Sequence, residues 1–315
     1  MDPHEYTSRF TRLATEDGCH VAYRIISAHF SNPPLLLVMG WSGISLDWDH
    51  FAEALAVARP VILIDNRGMG ASAFPRSLSS KLAETVSLER MAKDVLAVIV
   101  HVNCRMFDLL GLSMGGMVAQ TLERLLRNGF GQGRNVHLRK LILMSTSARG
   151  LSAEDTGLTL DVVMPRPDDT SLDITKRIME VNLAPGFRTA YPDTFERICG
   201  ISASGIRPMD VVMAQSKTIG RKLNMVDQLP LIRVPTLVIH GTEDRVISIQ
   251  RGDELARLIP GCHYVEGTKE RVSNYLRIEG GGHLIFEDGS GGRSIVSRIN
   301  QFLDSATFMP ETSKL

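Results

Sequence analysis

The sequence predicts an α/β protein: a mostly parallel central sheet with helices on both faces, interrupted by a helical insertion. Three observations predict it. Short apolar runs of strand length alternate with longer stretches whose apolar residues recur at helical spacing, the pattern of strand–helix–strand units. The alternation stops near Ser147 and resumes near Val234, with only short helical pieces between. Third, Gly111-Leu112-Ser113-Met114-Gly115 lies between an apolar run, Phe107-Asp108-Leu109-Leu110, and a helix-like stretch, 116–126. Strand before and helix after is the context of a nucleophile elbow.

The elements follow in order. Residues 11–15 and 20–24 flank Asp17-Gly18, a hairpin turn pair. Leu35-Leu36-Leu37-Val38-Met39 is a buried strand introduced by Pro33-Pro34, and it ends in the loop Gly40-Trp41-Ser42-Gly43. Residues 49–58 make a helix with Phe51, Leu55 and Ala58 on one side. Val61-Ile62-Leu63-Ile64 is the next strand. Ser87 is placed to cap a helix reaching His101, with Leu88, Met91, Val95, Val98 and Val102 in register. In 116–126, Met117, Val118, Thr121, Leu122, Leu125 and Leu126 share one side. Leu141-Ile142-Leu143-Met144 is a further strand. The helical pieces 174–181, 195–198 and 209–219 suit a lid, with Pro165 and Pro167 breaking the chain before them. Residues 234–240 resume the strands, 254–258 are helical, and 294–302 form a last helix. The expected organisation is a core of 1–146 and 226–305, a helical lid of 147–225, and a C-terminal tail of 306–315.

With 35 basic and 35 acidic residues the formal charges balance, so no general attraction to nucleic acid or anionic membrane is implied. No apolar run approaches the length of a membrane span. Cys19, Cys104, Cys199 and Cys262 are scattered without metal spacing and read as reduced thiols of an intracellular protein. The polar N-terminus has no secretory h-region. The chain ends in Ser313-Lys314-Leu315, the address read by the peroxisomal import receptor, which is the expected partner of this tail; location is therefore expected to be the peroxisome, with the cytoplasm as alternative.

The elbow makes Ser113 the candidate nucleophile. Residues without a Cβ two places to either side relieve crowding in the turn, which lifts the hydroxyl above the sheet at a helix N-terminus. A serine hydroxyl needs a base and a group that orients the base. His283, in Gly280-Gly281-Gly282-His283-Leu284, comes late in the chain among glycines and fits the base. Asp244, in the loop after the 234–240 strand, fits the acid; Glu243 is the nearest rival, and an ion pair with Arg245 is the structural alternative. Backbone N–H groups of Met114 and of Trp41, in the loop after the 35–39 strand, are the candidate oxyanion donors. Trp41 is also expected to turn its ring into the acyl pocket. The chemistry needs no metal or organic cofactor.

Together these residues resemble the α/β-hydrolase superfamily over about 35–302. Asp65-Asn66-Arg67-Gly68-Met69-Gly70-Ala71-Ser72 is similar to the superfamily's D-x-R-G-x-G-x-S loop. The resemblance implies the α/β-hydrolase fold and a Ser-His-Asp hydrolase. The stretches 35–40 and 111–116 resemble the aclacinomycin methylesterase-like branch, whose members hydrolyse esters on polyketide-type products. With the S-K-L tail, the chain also resembles fungal peroxisomal hydrolases of host-selective toxin clusters, which build decatrienoic acid esters. Many relatives carry His-Gly where Met39-Gly40 stands here.

One departure concerns His283. In the family a short strand leads directly into the Gly-His loop. Here Cys262-His263-Tyr264-Val265 and Tyr275-Leu276-Arg277-Ile278 compete for that strand, separated by a polar stretch, 266–274, that reads as a surface loop or as an insertion from a gene-model error. The second placement keeps His283 on a short glycine turn and is favoured. Two functions stay open: hydrolysis of a small-molecule carboxylic ester or of an acyl-CoA thioester, and a non-hydrolytic lyase or ligand-binding receptor with a retained triad.

Overall fold

A computed structural model describes residues 3–27, 29, 31–74, 82–151, 156–262, 274–287 and 291–305. The terminal Ser313-Lys314-Leu315, the alternative strand at Tyr264-Val265 and most of the polar stretch 266–274 lie outside the described residues.

A short helix, α1 (Pro3–Ser8), precedes the hairpin β1 (Thr11–Ala14) and β2 (His20–Ile26). Strand β3 (Leu35–Val38), helix α2 (Asp49–Ala56) and strand β4 (Val61–Ile64) follow. Next come α3 (Leu82–Thr85), α4 (Leu88–His101), β5 (Met106–Leu112), α5 (Met114–Arg127) and β6 (His137–Met144). The chain then leaves the sheet for α6 (Leu160–Val163), α7 (Ser171–Asn182), α8 (Phe187–Ala190), α9 (Pro192–Ala203) and α10 (Met209–Thr218). It returns through β7 (Thr236–Gly241), α11 (Ile249–Leu258), β8 (Tyr275–Ile278) and α12 (Gly291–Asp304).

The strands form one eight-stranded sheet in the order β1-β2-β4-β3-β5-β6-β7-β8. Only β1–β2 and β2–β4 are antiparallel; every pair from β4 to β8 is parallel. The strands of a parallel sheet are covered on both faces, which explains the unbroken apolar runs of β3 and β4. Alternate residues sort cleanly. Leu36, Val38, Ile62, Ile64, Leu109, Leu141 and Leu143 pack with α4, α5 and α11. Leu35, Leu37, Val61, Leu63, Leu110, Ile142 and Met144 pack with α2 and α12. This is the α/β-hydrolase fold. Each such side chain withdrawn from water contributes roughly 1.5–3 kcal/mol.

Local signals place the helix ends. Ser87 Oγ accepts the Arg90 N–H and starts α4 as expected. α7 is longer than the 174–181 reading because Thr170 and Asp173 form a reciprocal capping box. α9 starts three residues before Phe195, at Pro192, the residue favoured in a first helical turn. At the far end of α12, Lys140 of β6 is buried and its Nζ donates to the carbonyls of Phe302 (2.6 Å), Leu303 (3.3 Å) and Ser305 (2.7 Å). Among the described residues no helix is long and apolar enough to cross a membrane.

The competition for the last strand is settled by pairing: Tyr275, Leu276, Arg277 and Ile278 lie opposite Val238, Ile239, His240 and Gly241. One part of the sequence reading needs correction. Asn274 is not part of a surface loop. It is 4 % exposed, its N–H donates to Cys262 O (2.9 Å) and its carbonyl accepts the Val238 N–H (2.9 Å), so it begins the sheet pairing. The Cys262–Asn274 bond also brings the two ends of 263–273 together, and loop length costs little once the ends are joined. Deleting 266–273 while keeping Asn274 is therefore expected to leave the melting temperature within a few degrees of the parent. Extending the deletion through Asn274 is expected to lower it clearly, as a thermal melt of the two variants would measure.

Candidate active site

The turn after β5 is built by close backbone passage. Ser113 has φ 55° and ψ −122°, a conformation that non-glycine residues enter only when surroundings over-determine it. A β-carbon on Gly115 would lie 2.1 Å from the Val38 carbonyl oxygen, and one on Gly111 would lie 2.3 Å from that of Gly115. Both positions therefore require glycine. The Ser113 main chain is held from the neighbouring strand: its N–H donates to Met144 O (2.9 Å), and its carbonyl accepts the Thr146 hydroxyl (2.6 Å).

Asp244 and His283 follow β7 and β8, at the same C-terminal edge of the sheet as Ser113. They meet: His283 Nδ1 lies 2.8 Å from Asp244 Oδ2. The other carboxylate oxygen, Oδ1, accepts the N–H groups of Val246 and Ile247, both at 2.8 Å. Burial alone would push the Asp244 pKa up, but the charge on His283 and the ring N–H groups of His240 and His283 outweigh it. The carboxyl is held well below the usual carboxylate range. Glu243 is exposed, with its main-chain N–H on Gly281 O. Arg245 pairs with neither acid; its guanidinium caps the end of α7 at the carbonyls of Glu180 and Leu183. No hydrogen bond joins Ser113 Oγ to the His283 ring, a contact that often tightens only with substrate bound.

The loop after β3 runs beside the elbow; a β-carbon on Gly40 would lie 2.9 Å from Ser113 Cβ. The backbone N–H groups of Trp41 and Met114 have no protein acceptor among the described residues. The D-N-R-G loop supports this region from below. Buried Asp65 accepts the Ser45 N–H (2.7 Å), the Ala71 N–H (2.7 Å) and the Tyr6 hydroxyl (2.7 Å), and Asn66 donates to Met39 O (3.0 Å). Arg67 is spent on a buried fork with Asp94 and a bond to Asp17.

The helices between β6 and β7 grip two of these loops. Trp41 Nε1 donates to Val212 O (3.0 Å) in α10, so the indole is tied to that helix. The Ser42 N–H donates to Gln215 Oε1 (2.9 Å), also in α10. At the other side, the N–H groups of His283 (2.7 Å) and Leu284 (2.9 Å) both donate to Asn182 O, at the end of α7. Sequence reading missed Asn182, Gln215 and the buried His240 beside Asp244. His240 had a signal, as a polar residue directly after the apolar run Leu237-Val238-Ile239. The other two are long-range contacts that no local pattern announces. No cluster of three or more metal-ligating side chains occurs among the described residues.

The depressed Asp244 pKa makes a stability prediction. A carboxyl whose folded pKa lies below its unfolded value of about 4 contributes stability above pH ~4, lost as pH falls through the folded value. Asp244→Asn is expected to melt below the parent near neutral pH. The gap should narrow as pH drops below about 4, measured by paired thermal melts across pH.

Comparison with known proteins agrees with the fold. The model of the Alpha/beta hydrolase family matches residues 35–291. The chain is 26% identical over 237 residues to the AB hydrolase superfamily protein YisY of Bacillus subtilis, covering 68% of this chain and 78% of that one. It is 24% identical to a non-heme haloperoxidase of Rhodococcus erythropolis, covering 78% of this chain and 85% of the other. Among solved structures, the esterase RhEst1 from a Rhodococcus species superposes with TM-score 0.71 at 22% identity, over 94% of this chain and 99% of that one. A thermophilic esterase from Thermogutta terrifontis superposes with TM-score 0.71 at 24% identity, over 93% and 97%. The chain belongs to the alpha/beta hydrolase family.

Proposed function

We propose that the protein is a serine hydrolase that cleaves a carboxylic ester or thioester through Ser113, His283 and Asp244. The observation that carries this reading is the 2.8 Å bond between Asp244 Oδ2 and His283 Nδ1, at the sheet edge where Ser113 is held at φ 55°. A proton on Nδ1, donated to Asp244, leaves the Nε2 lone pair to act as base. Nε2 takes the Ser113 hydroxyl proton as Oγ attacks the acyl carbon. The tetrahedral oxyanion is received by the Met114 and Trp41 N–H groups, each worth roughly 3 kcal/mol in the transition state. The imidazolium, stabilised by Asp244, returns its proton to the leaving alcohol or thiol. Water, deprotonated by the same ring, then attacks the acyl-enzyme and frees Ser113.

The segment 147–225 serves as the lid over this site. That structural relatives include esterases supports an ester bond as the target. The likeness of 35–40 and 111–116 to aclacinomycin methylesterase-like enzymes makes polyketide-type methyl esters the first substrates to try, with acyl-CoA thioesters next.

Incubation with a fluorophosphonate is expected to add its mass to the Ser113 peptide, and Ser113→Ala is expected to lose both the label and p-nitrophenyl ester turnover. A Ser113→Ala protein that turns over at the parental rate overturns the reading. Asp244→Asn is expected to lose about four decades of rate, whereas Glu243→Gln stays near the parent. The opposite ranking would move the acid to Glu243.

A further inference from the structure

We propose that His240 is a positioning residue for Asp244: its Nε2–H, shared between the Ile247 carbonyl and Asp244 Oδ2, fixes the plane of the carboxylate that aligns His283. This rests on the triad reading above.

His240 is the next-to-last residue of β7 and has no exposed surface. The residues before it, Leu237, Val238 and Ile239, are apolar and equally buried. An apolar side chain would meet the packing requirement there at lower desolvation cost. The ring instead meets two acceptors: Nε2 lies 2.8 Å from Ile247 O and 3.2 Å from Asp244 Oδ2. Facing only acceptors, Nε2 must carry the ring proton. Nδ1 has no partner among the described residues, and it packs beside α11, where a β-carbon on Gly252 would lie 2.7 Å from it. The surroundings therefore select one tautomer.

The contacts form a closed set. Ile247 gives its N–H to Asp244 Oδ1 and its carbonyl to His240 Nε2. His240 ties that same turn to the far carboxylate oxygen. Oδ1 is fixed by two main-chain donors, but those bonds leave rotation about the line between Oδ1 and the side chain restrained only at Oδ2. At Oδ2 one donor, His283, is the group that works during turnover. The other, His240, sits on the sheet and keeps the carboxylate in place while His283 gains and loses its proton. Asp244 Oδ2 thus faces one ring that exchanges a proton during turnover and one that does not.

Three measurements test this on the full-length protein. In the parent, 15N NMR of labelled imidazoles is expected to place the His240 proton on Nε2. His240→Met removes the donor at similar volume, and is expected to lower kcat for a p-nitrophenyl ester about ten-fold with KM within about two-fold, the loss expected for one hydrogen bond. The low-field proton resonance of His283 Nδ1–H should broaden or move in that variant. His240→Gln keeps an N–H donor near the Nε2 position and is expected to recover most of the rate and the resonance. A His240 proton found on Nδ1 overturns the proposal. So does a methionine variant with parental kcat and unmoved resonance, or equal losses in the methionine and glutamine variants. If His240→Met does not fold, the parental tautomer and the glutamine resonance decide. If the parent shows no Ser113-dependent turnover, the hydrolase reading falls, while the tautomer and the resonance still decide the role of His240.

Discussion

The carbonyl of Val38 and the Cα of Gly115 approach so closely that no side chain fits between them. That contact between the end of β3 and the start of α5 leaves little room at the turn from β5 into α5, where Ser113 has φ 55°. It also makes the loop after β3 and the first turn of α5 neighbours, and the Trp41 and Met114 N–H groups in these two segments have no protein acceptor among the described residues. Strain of this kind, of order 1–3 kcal/mol, survives only in a rigid frame. The buried strands β3, β5 and β6, the Met144 carbonyl and the Thr146 hydroxyl supply it.

The other candidate site residues are held from two directions. From the sheet come His240 and the main-chain donors of 246–247, which fix Asp244. From the helical segment come α10, which holds Trp41 and Ser42, and the end of α7, which receives the N–H groups of His283 and Leu284. Arg245 caps that same end of α7. The helices between β6 and β7 are thus integral to the geometry of the loops around Ser113, with their own small core of Met179, Leu183, Phe187, Phe195, Ile198 and Cys199 beneath them.

Legibility in the sequence followed the range of the determining interactions. The elbow was readable because Gly111, Ser113 and Gly115 stand at every second position and are flanked by clear strand and helix patterns. Asp244 was proposed from its place after a strand, and in the fold its carboxylate lies 2.8 Å from His283 Nδ1. Tyr275–Ile278 was chosen over 262–265 on the need to hold His283 on a short turn, and the sheet pairing bears this out. Asn274 was misread because its polar side chain hides a main chain already committed to the sheet. The α7 and α9 starts were missed although Thr170, Asp173 and Pro192 carry local capping signals. Asn182 and Gln215 could not be read, since each meets its partner across more than 90 residues of chain and acts through a main-chain carbonyl or a buried amide.

Lys140 bears on how the molecule opens. A terminal helix ordinarily frays from its free end, exchanging its last amides through small local openings. Here the carbonyls of Phe302 and Leu303 near the end of α12 are bound by the ammonium of Lys140, a buried residue of β6. Unwinding that end would leave the buried ammonium, whose pKa burial already lowers to about 8, without these acceptors. Amide exchange in the final turn of α12 is therefore expected to need a larger opening than the local fraying of an ordinary helix end.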